Sequence, residues 1–295
     1  MRVLISLILL LFLMLIQMYY VNAQEISSIS VADGPSGLIV NHDLKKLYVA
    51  NTNAKLISII DTSSNKYLVL HSGIQHRPSN MKLLNNSFKS VSCSLENNKF
   101  TLIPSVLFDE ENKESLLGFN HEVTADEEIL VNTLHNLEAK ILFTVSKSLT
   151  AEIRKQFPNA NFIHSSTSFI EGLLVQHKNY SEKKVFANFY ANYFEIVILD
   201  GKELLFSNAF TYKTSEEIAY YILFVYEQLN LNPETIELVL SGEIEKTAKE
   251  HSLLYTYIRN VKFASRPDGF KYSYKFEEIP NHKFFSLFTQ YLVTN

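Results

Sequence analysis

At 295 residues the chain is long enough for one large or two medium domains, and 46% hydrophobic against 20% charged residues is a globular balance. A formal net charge of -4 gives no global electrostatic reason to bind nucleic acid, so no nucleic-acid partner is expected. With 8 Gly, 7 Pro and 1 Cys, collagen-like stretches and an intramolecular disulfide are excluded.

Arg2 is followed by an almost wholly apolar run from Val3 to Ile16, and Val21-Asn22-Ala23 then fits a small-residue cleavage site. Residues 1–23 read as a signal peptide, with Gln24 as the new N-terminus and export to the periplasm or cell surface expected. Stretched to Val21, the run reaches the length of a bilayer span. An uncleaved anchor is therefore the alternative, and the one route to a membrane partner. A cytoplasmic location follows if this leader is not native to the body behind it.

Residues 24–84 are β-rich. Gly37–Val40, Lys46–Ala50, Leu56–Ile60 and Lys66–Leu70 are short apolar runs separated by Asn, Asp and Ser, the pattern of a meander. Gly34-Pro35-Ser36-Gly37, Lys46-Leu47-Tyr48-Val49-Ala50-Asn51 and Ile57-Ser58-Ile59-Ile60-Asp61-Thr62 resemble one YVTN-type β-propeller repeat. One blade cannot bury its own faces, because repeat architectures need several neighbours.

From about Lys89 strands and helices alternate. Lys99–Pro104 is a strand, Ser105–Gly118 a helix with an acidic first half, Ala139–Val145 a strand and Leu149–Phe157 a helix stopped by Pro158. Asn161–His164 is a strand and Ser168–His177 a helix. Lys184–Asp200 and Glu203–Phe210 form a hairpin across Asp200-Gly201, a type I′ signature. Thr214–Leu229 is the clearest helix: Thr214 and Glu217 make a capping box, and Ile218, Tyr221, Ile222, Val225 and Leu229 give an apolar stripe. Ile236–Leu240 is a buried strand, Ser241-Gly242 turns into a helix running to Arg259, and His282–Leu292 is a tail helix. Leu223 and Leu240 are expected in the core.

Three stretches carry a second resemblance. Phe100–Glu110, Tyr220–Pro233, and Leu240–Ile244 with Tyr257–Val261 are similar to a Bacteroidetes family of unknown function, domain-of-unknown-function (DUF) family 3822, over residues 85–293. The family has no assigned reaction. The resemblance implies an α/β fold of duplicated actin-like (ribonuclease H-like) halves facing a cleft, preceded by the β-meander segment and the signal peptide. The halves would be residues 85–180 and 181–295. Residues 24–84 are then either a separate segment fused to this body or the opening strands of its first half.

Active actin-like ATPases place Asp-x-Gly on the first hairpin of the second half, where the carboxylate helps hold metal and the glycine admits phosphate. Here that stretch is Asn188-Phe189-Tyr190. A second, glycine-rich turn is matched by Ser241-Gly242-Glu243, which keeps one glycine and reads rather as a tight turn with Ser241 capping the next helix. Ser241 and Gly242, with Asn188 and Tyr190, are thus weak cofactor-binding candidates in a degenerate nucleotide cleft. ATP with magnesium is not favoured, no cofactor or metal is expected, and no catalytic residue is assigned. The expected function is a non-catalytic actin-like scaffold binding a protein partner. The alternatives are a nucleotide-binding ATPase or switch, and an exported propeller-type binding module.

Other chemistry-bearing residues read as structural. His121-Glu122 near Asp126, Glu127 and Glu128 reads as a solvated acidic loop, since no two metal-ligating His share one helix face. His164-Ser165-Ser166-Thr167 reads as a strand end followed by helix-capping residues. Cys93, with no basic neighbour, reads as an inert buried thiol. Tyr220, Tyr221, Phe224 and Tyr226 are expected to pack between domains.

Overall fold

The structure is a computed structural model that describes residues 35–41, 46–51, 56–61, 66–67 and 271–272 as backbone strands, and residues 91–179, 181–268 and 279–293. The signal-peptide reading lies outside the described residues.

Four antiparallel strands come first: β1 (Pro35–Asn41), β2 (Lys46–Asn51), β3 (Leu56–Asp61) and β4 (Lys66–Tyr67). A late strand, Lys271–Tyr272, pairs with β1, giving a sheet with that strand at one edge and β4 at the other.

The next sheet is built from β6 (Phe100–Pro104), β7 (Glu127–Leu134) and β8 (Ala139–Ser146), in the order β6-β8-β7. Beside it, β5 (Val91–Leu95) pairs in parallel with β9 (Ala160–His164). Asn132 of β7 stitches the two together: its Nδ2 donates to Phe162 O at 2.9 Å and its Oδ1 accepts from His164 N at 2.8 Å. Helix α1 (Lys113–Gly118) lies between β6 and β7. Helices α2 (Lys147–Gln156) and α3 (Ser165–His177) flank β9.

The expected long helix at Ser105–Gly118 is a 3-10 turn at Ser105–Leu107 followed by the short α1. Asp109 interrupts it, because its carboxylate accepts from Glu111 N at 3.1 Å and from Asn112 Nδ2, a local alternative to helical bonding. The acidic stretch read as a loop starts β7 instead. Glu127 and Glu128 are strand residues paired with Lys99 and Arg154.

The last sheet holds β10 (Lys183–Phe189), β11 (Tyr193–Asp200), β12 (Glu203–Thr211), β13 (Glu237–Gly242) and β14 (Val261–Phe263), in the order β12-β11-β10-β13-β14. The first three form consecutive hairpins. In the second, Asp200 pairs with Glu203, so the turn residues are Gly201, at φ 59°, and Lys202, which has no positive φ; the glycine takes the first central position, in place of the type I′ arrangement expected from Asp200-Gly201. β13 runs parallel to β10, and β14 parallel to β13, after crossovers through α4 (Ser215–Gln228) and α5 (Lys249–Tyr257). Thr214 Oγ1 caps α4 by accepting from Glu217 N at 3.2 Å, while Glu217 reaches back to Lys213 N.

This sheet is covered on both faces, so β10, β11 and β13 read as near-continuous apolar runs. One face carries Val185, Ala187, Ile196, Ile198 and Leu240 against α4 and α5. The other carries Phe186, Val197, Leu199 and Val239 against α3 and the short C-terminal helix α6 (Phe285–Thr289). Helices α3 and α6 touch at Gly172, where an added Cβ would meet the Thr289 side chain at 2.5 Å. Thr289 is itself held, its Oγ1 donating to Ser168 O at 2.7 Å. Gly172→Ala is therefore expected to cost roughly 1–3 kcal/mol by overpacking, read as a lower urea midpoint. An unchanged midpoint would show that this contact yields freely.

Candidate functional site

The carboxyl ends of parallel strands are where α/β sheets present groups to ligands. β10 ends at Asn188-Phe189 and β13 at Ser241-Gly242, and the register sets Asn188 opposite Ser241 and Phe189 opposite Gly242. The structure thus brings the four sequence candidates to one end of this sheet. Ser241 Oγ donates to Asn188 Oδ1 at 2.8 Å, and both residues are buried. Asn188 Nδ2 points to Ser286 Oγ at the start of α6, at 3.4 Å.

Gly242 is required where it stands. Its φ is +83°, and a Cβ there would sit 2.1 Å from Phe189 O. Its amide donates to His282 O at 2.9 Å, and the Glu243 amide donates to Phe189 O at 2.8 Å. Ser241 does not cap the following helix: α5 begins at Lys249 behind Ala248, and residues 243–245 before it hold the C-terminal segment. His282 Nε2 bonds Ile244 O at 2.7 Å, and Lys283 pairs with Glu243 and Glu245.

Tyr190 closes the β10–β11 turn, its amide donating to Tyr193 O at 2.9 Å. Its ring stacks on Tyr193 with centroids 4.3 Å apart, and the residue is 6% exposed. Burial first, then the charges of Glu195 and Glu96, push its phenol well above the ordinary value of 10.0.

Sequence reasoning missed Glu195 of β11, which is 0% exposed. Burial pushes its carboxyl up to about 8, with the hydrogen bond from Ser166 pulling the other way. The signal was present, as a single charge inside the apolar run Tyr193–Leu199. Ser286 and His282, which reach the site from the tail, carried no such signal.

The remaining candidates are structural. His164 ends β9, and its Nδ1 accepts from Ser166 N at 3.2 Å. Burial lowers its pKa to about 3, so it is neutral. Cys93 is pushed up to about 12 by burial, which leaves it a thiol. His121 Nε2 lies 3.0 Å from Phe100 O. Among the described residues no group of three or more His, Cys, Asp and Glu could hold a metal ion, and no helix is long and apolar enough to cross a membrane. Tyr226 is buried and donates to Ile236 O at 3.2 Å, and Tyr221 stacks on Phe210. Tyr220 and Phe224, in contrast to the packing expected of them, are 62% and 42% exposed.

Among solved structures the chain is similar to a Bacteroides thetaiotaomicron protein with actin-like ATPase fold and unknown function. The TM-score is 0.65 and the identity 22%, covering 89% of this chain and 97% of that one. That likeness shows the fold. Lesser likenesses are to the PilM-PilN type IV pilus biogenesis complex (TM-score 0.46, 14% identity, 88% and 99% covered) and the AlfA filament bound to AMPPNP (TM-score 0.33, 11% identity, 88% and 96% covered). No curated protein matches the sequence. The profile of a family described as a protein of unknown function, DUF3822, matches residues 38–261, beginning inside β1 rather than near residue 85 as expected from the sequence. With three quarters of its length so matched, the chain belongs to the DUF3822 family.

Proposed function

We propose that this protein is a non-catalytic actin-like scaffold that binds a protein partner. One observation carries the reading: the groups at the carboxyl ends of β10 and β13 are already committed to the protein itself. A phosphate at such a turn needs free backbone amides, and a magnesium shell favours a carboxylate. Here the Gly242 amide is bonded to His282 O at 2.9 Å and the Glu243 amide to Phe189 O at 2.8 Å. Asn188, uncharged, gives its Oδ1 to Ser241 at 2.8 Å. Binding a triphosphate there would first have to break these bonds and displace residues 282–286, each buried bond costing its desolvation penalty.

The partner side of the reading is supported by the exposed pair on α4. Tyr220 and Phe224 lie one turn apart with ring centroids 6.0 Å apart. Exposed aromatic residues of this kind are enriched at protein interfaces.

Calorimetry with ATP and magnesium tests the first half of the reading. No saturable heat is expected at millimolar nucleotide. A dissociation constant in the low micromolar range would overturn it.

A further inference from the structure

The second-half sheet carries a polar row across the face that packs on α3 and α6. Residues directly opposite in a ladder share a face, so Ser241, Asn188 and Glu195, paired in turn across β13, β10 and β11, lie side by side. Glu195 is the charged-type member. Ser166 Oγ, in the first turn of α3, donates to its Oε2 at 2.8 Å and is the direct side-chain tie between that helix and this carboxyl. Its other oxygen, Oε1, is buried without a hydrogen-bond partner among the described residues. Around it the hydroxyls of Tyr190, Tyr193, Ser165 and Ser207 are likewise buried without a hydrogen-bond partner among the described residues.

We propose that Glu195 is a proton-operated latch between α3 and the second-half sheet, closing the seam while its carboxyl is protonated and releasing it when the proton leaves to solvent. A neutral carboxyl fits a dry seam, where it can donate to a neighbouring hydroxyl and accept from Ser166. A carboxylate there is a buried charge without a cation, which costs several kcal/mol unless the seam opens to water.

The groups facing it are these. From its own hairpin come Tyr190 and Tyr193, both held protonated by burial. From α3 come Ser165 and Ser166, with His164 behind them neutral. From β12 comes Ser207. From α6 comes Ser286, which approaches Tyr190, and beyond β5 lies the half-buried Glu96, whose charge also acts on both tyrosines. No lysine, arginine or histidine charge acts on Glu195 among the described residues. Glu171, a buried acidic residue of α3, instead accepts from the backbone amides of His135 and Asn136.

The sign follows from linkage. A carboxyl whose folded pKa lies above its unfolded value of 4.5 stabilises the fold fully below that value, and loses the contribution as pH rises through about 8. Hydrogen exchange of the α3 amides, expressed as protection factors at pH 6, 7 and 8, reads the latch directly. In the native sequence protection should fall by up to about tenfold per pH unit, since one proton is released on opening. In Glu195→Gln, which keeps shape and neutrality, it should stay constant. Ser166→Ala removes a bond that favours the carboxylate, so its window should extend to higher pH, whereas a merely structural serine would lower protection equally at every pH. Parallel profiles in the native protein and Glu195→Gln would overturn the proposal. Should Glu195→Gln not fold, an unmoved window in Ser166→Ala would overturn it alone.

Discussion

Gly242→Ala is expected to destabilise the protein by roughly 3–5 kcal/mol. Two causes add. The backbone φ of +83° is a conformation that a Cβ disfavours, at a cost of roughly 1–2 kcal/mol. The Cβ would also meet Phe189 O at 2.1 Å, Phe189 N at 2.8 Å and Asn188 Oδ1 at 2.8 Å. The first two are backbone atoms of the last pair in the parallel ladder, and cannot move without parting the ends of β10 and β13. The third is held by Ser241. Urea denaturation followed by circular dichroism reads the loss. A change below about 1 kcal/mol would show that the glycine is incidental to this turn.

Leu240→Ala is expected to cost roughly 2–5 kcal/mol and Leu223→Ala about 1 kcal/mol or less. Sequence patterning places both leucines in the core, but the structure separates them. Leu240 is 0% exposed, in the middle of β13, with β10 on one side and β14 on the other and α4 and α5 over its face. Truncation there leaves a cavity walled by strands that cannot collapse. Leu223 is partly buried at the margin of the same cluster, and water can fill the space it leaves. The buried side of α4 is instead Ile218, Ala219, Ile222, Val225 and Tyr226. Equal losses in the two variants would mean that α4 is rotated from this orientation.

Much of the second half was legible because its signals are local. The capping pair Thr214 and Glu217 and the chain reversal at Asp200-Gly201 each depend on residues a few positions apart. The expected fold rested on resemblance, and the shared actin-like architecture bears out its coarse form. What was illegible depends on distant partners. β7 begins on two glutamates that look like loop until Lys99 and Arg154 are brought to them across the sheet. The helix after Ser241 starts late, behind residues 243–245 that are bound to a tail nearly forty residues away.

The candidate site divides in the same way. The residue types Asn188, Tyr190, Ser241 and Gly242 are properties of the sequence, and with them the lack of a carboxylate and of a second glycine at those positions. Only the tertiary structure decided that Ser241 bonds Asn188, that His282 takes the Gly242 amide, and that Glu195 lies buried against the first turn of α3. Residue chemistry is local and is written in the chain. Whether a polar group is left free for a ligand or is already bonded within the protein depends on which distant segment packs beside it, and that is settled only when the sheet and the tail close over one another.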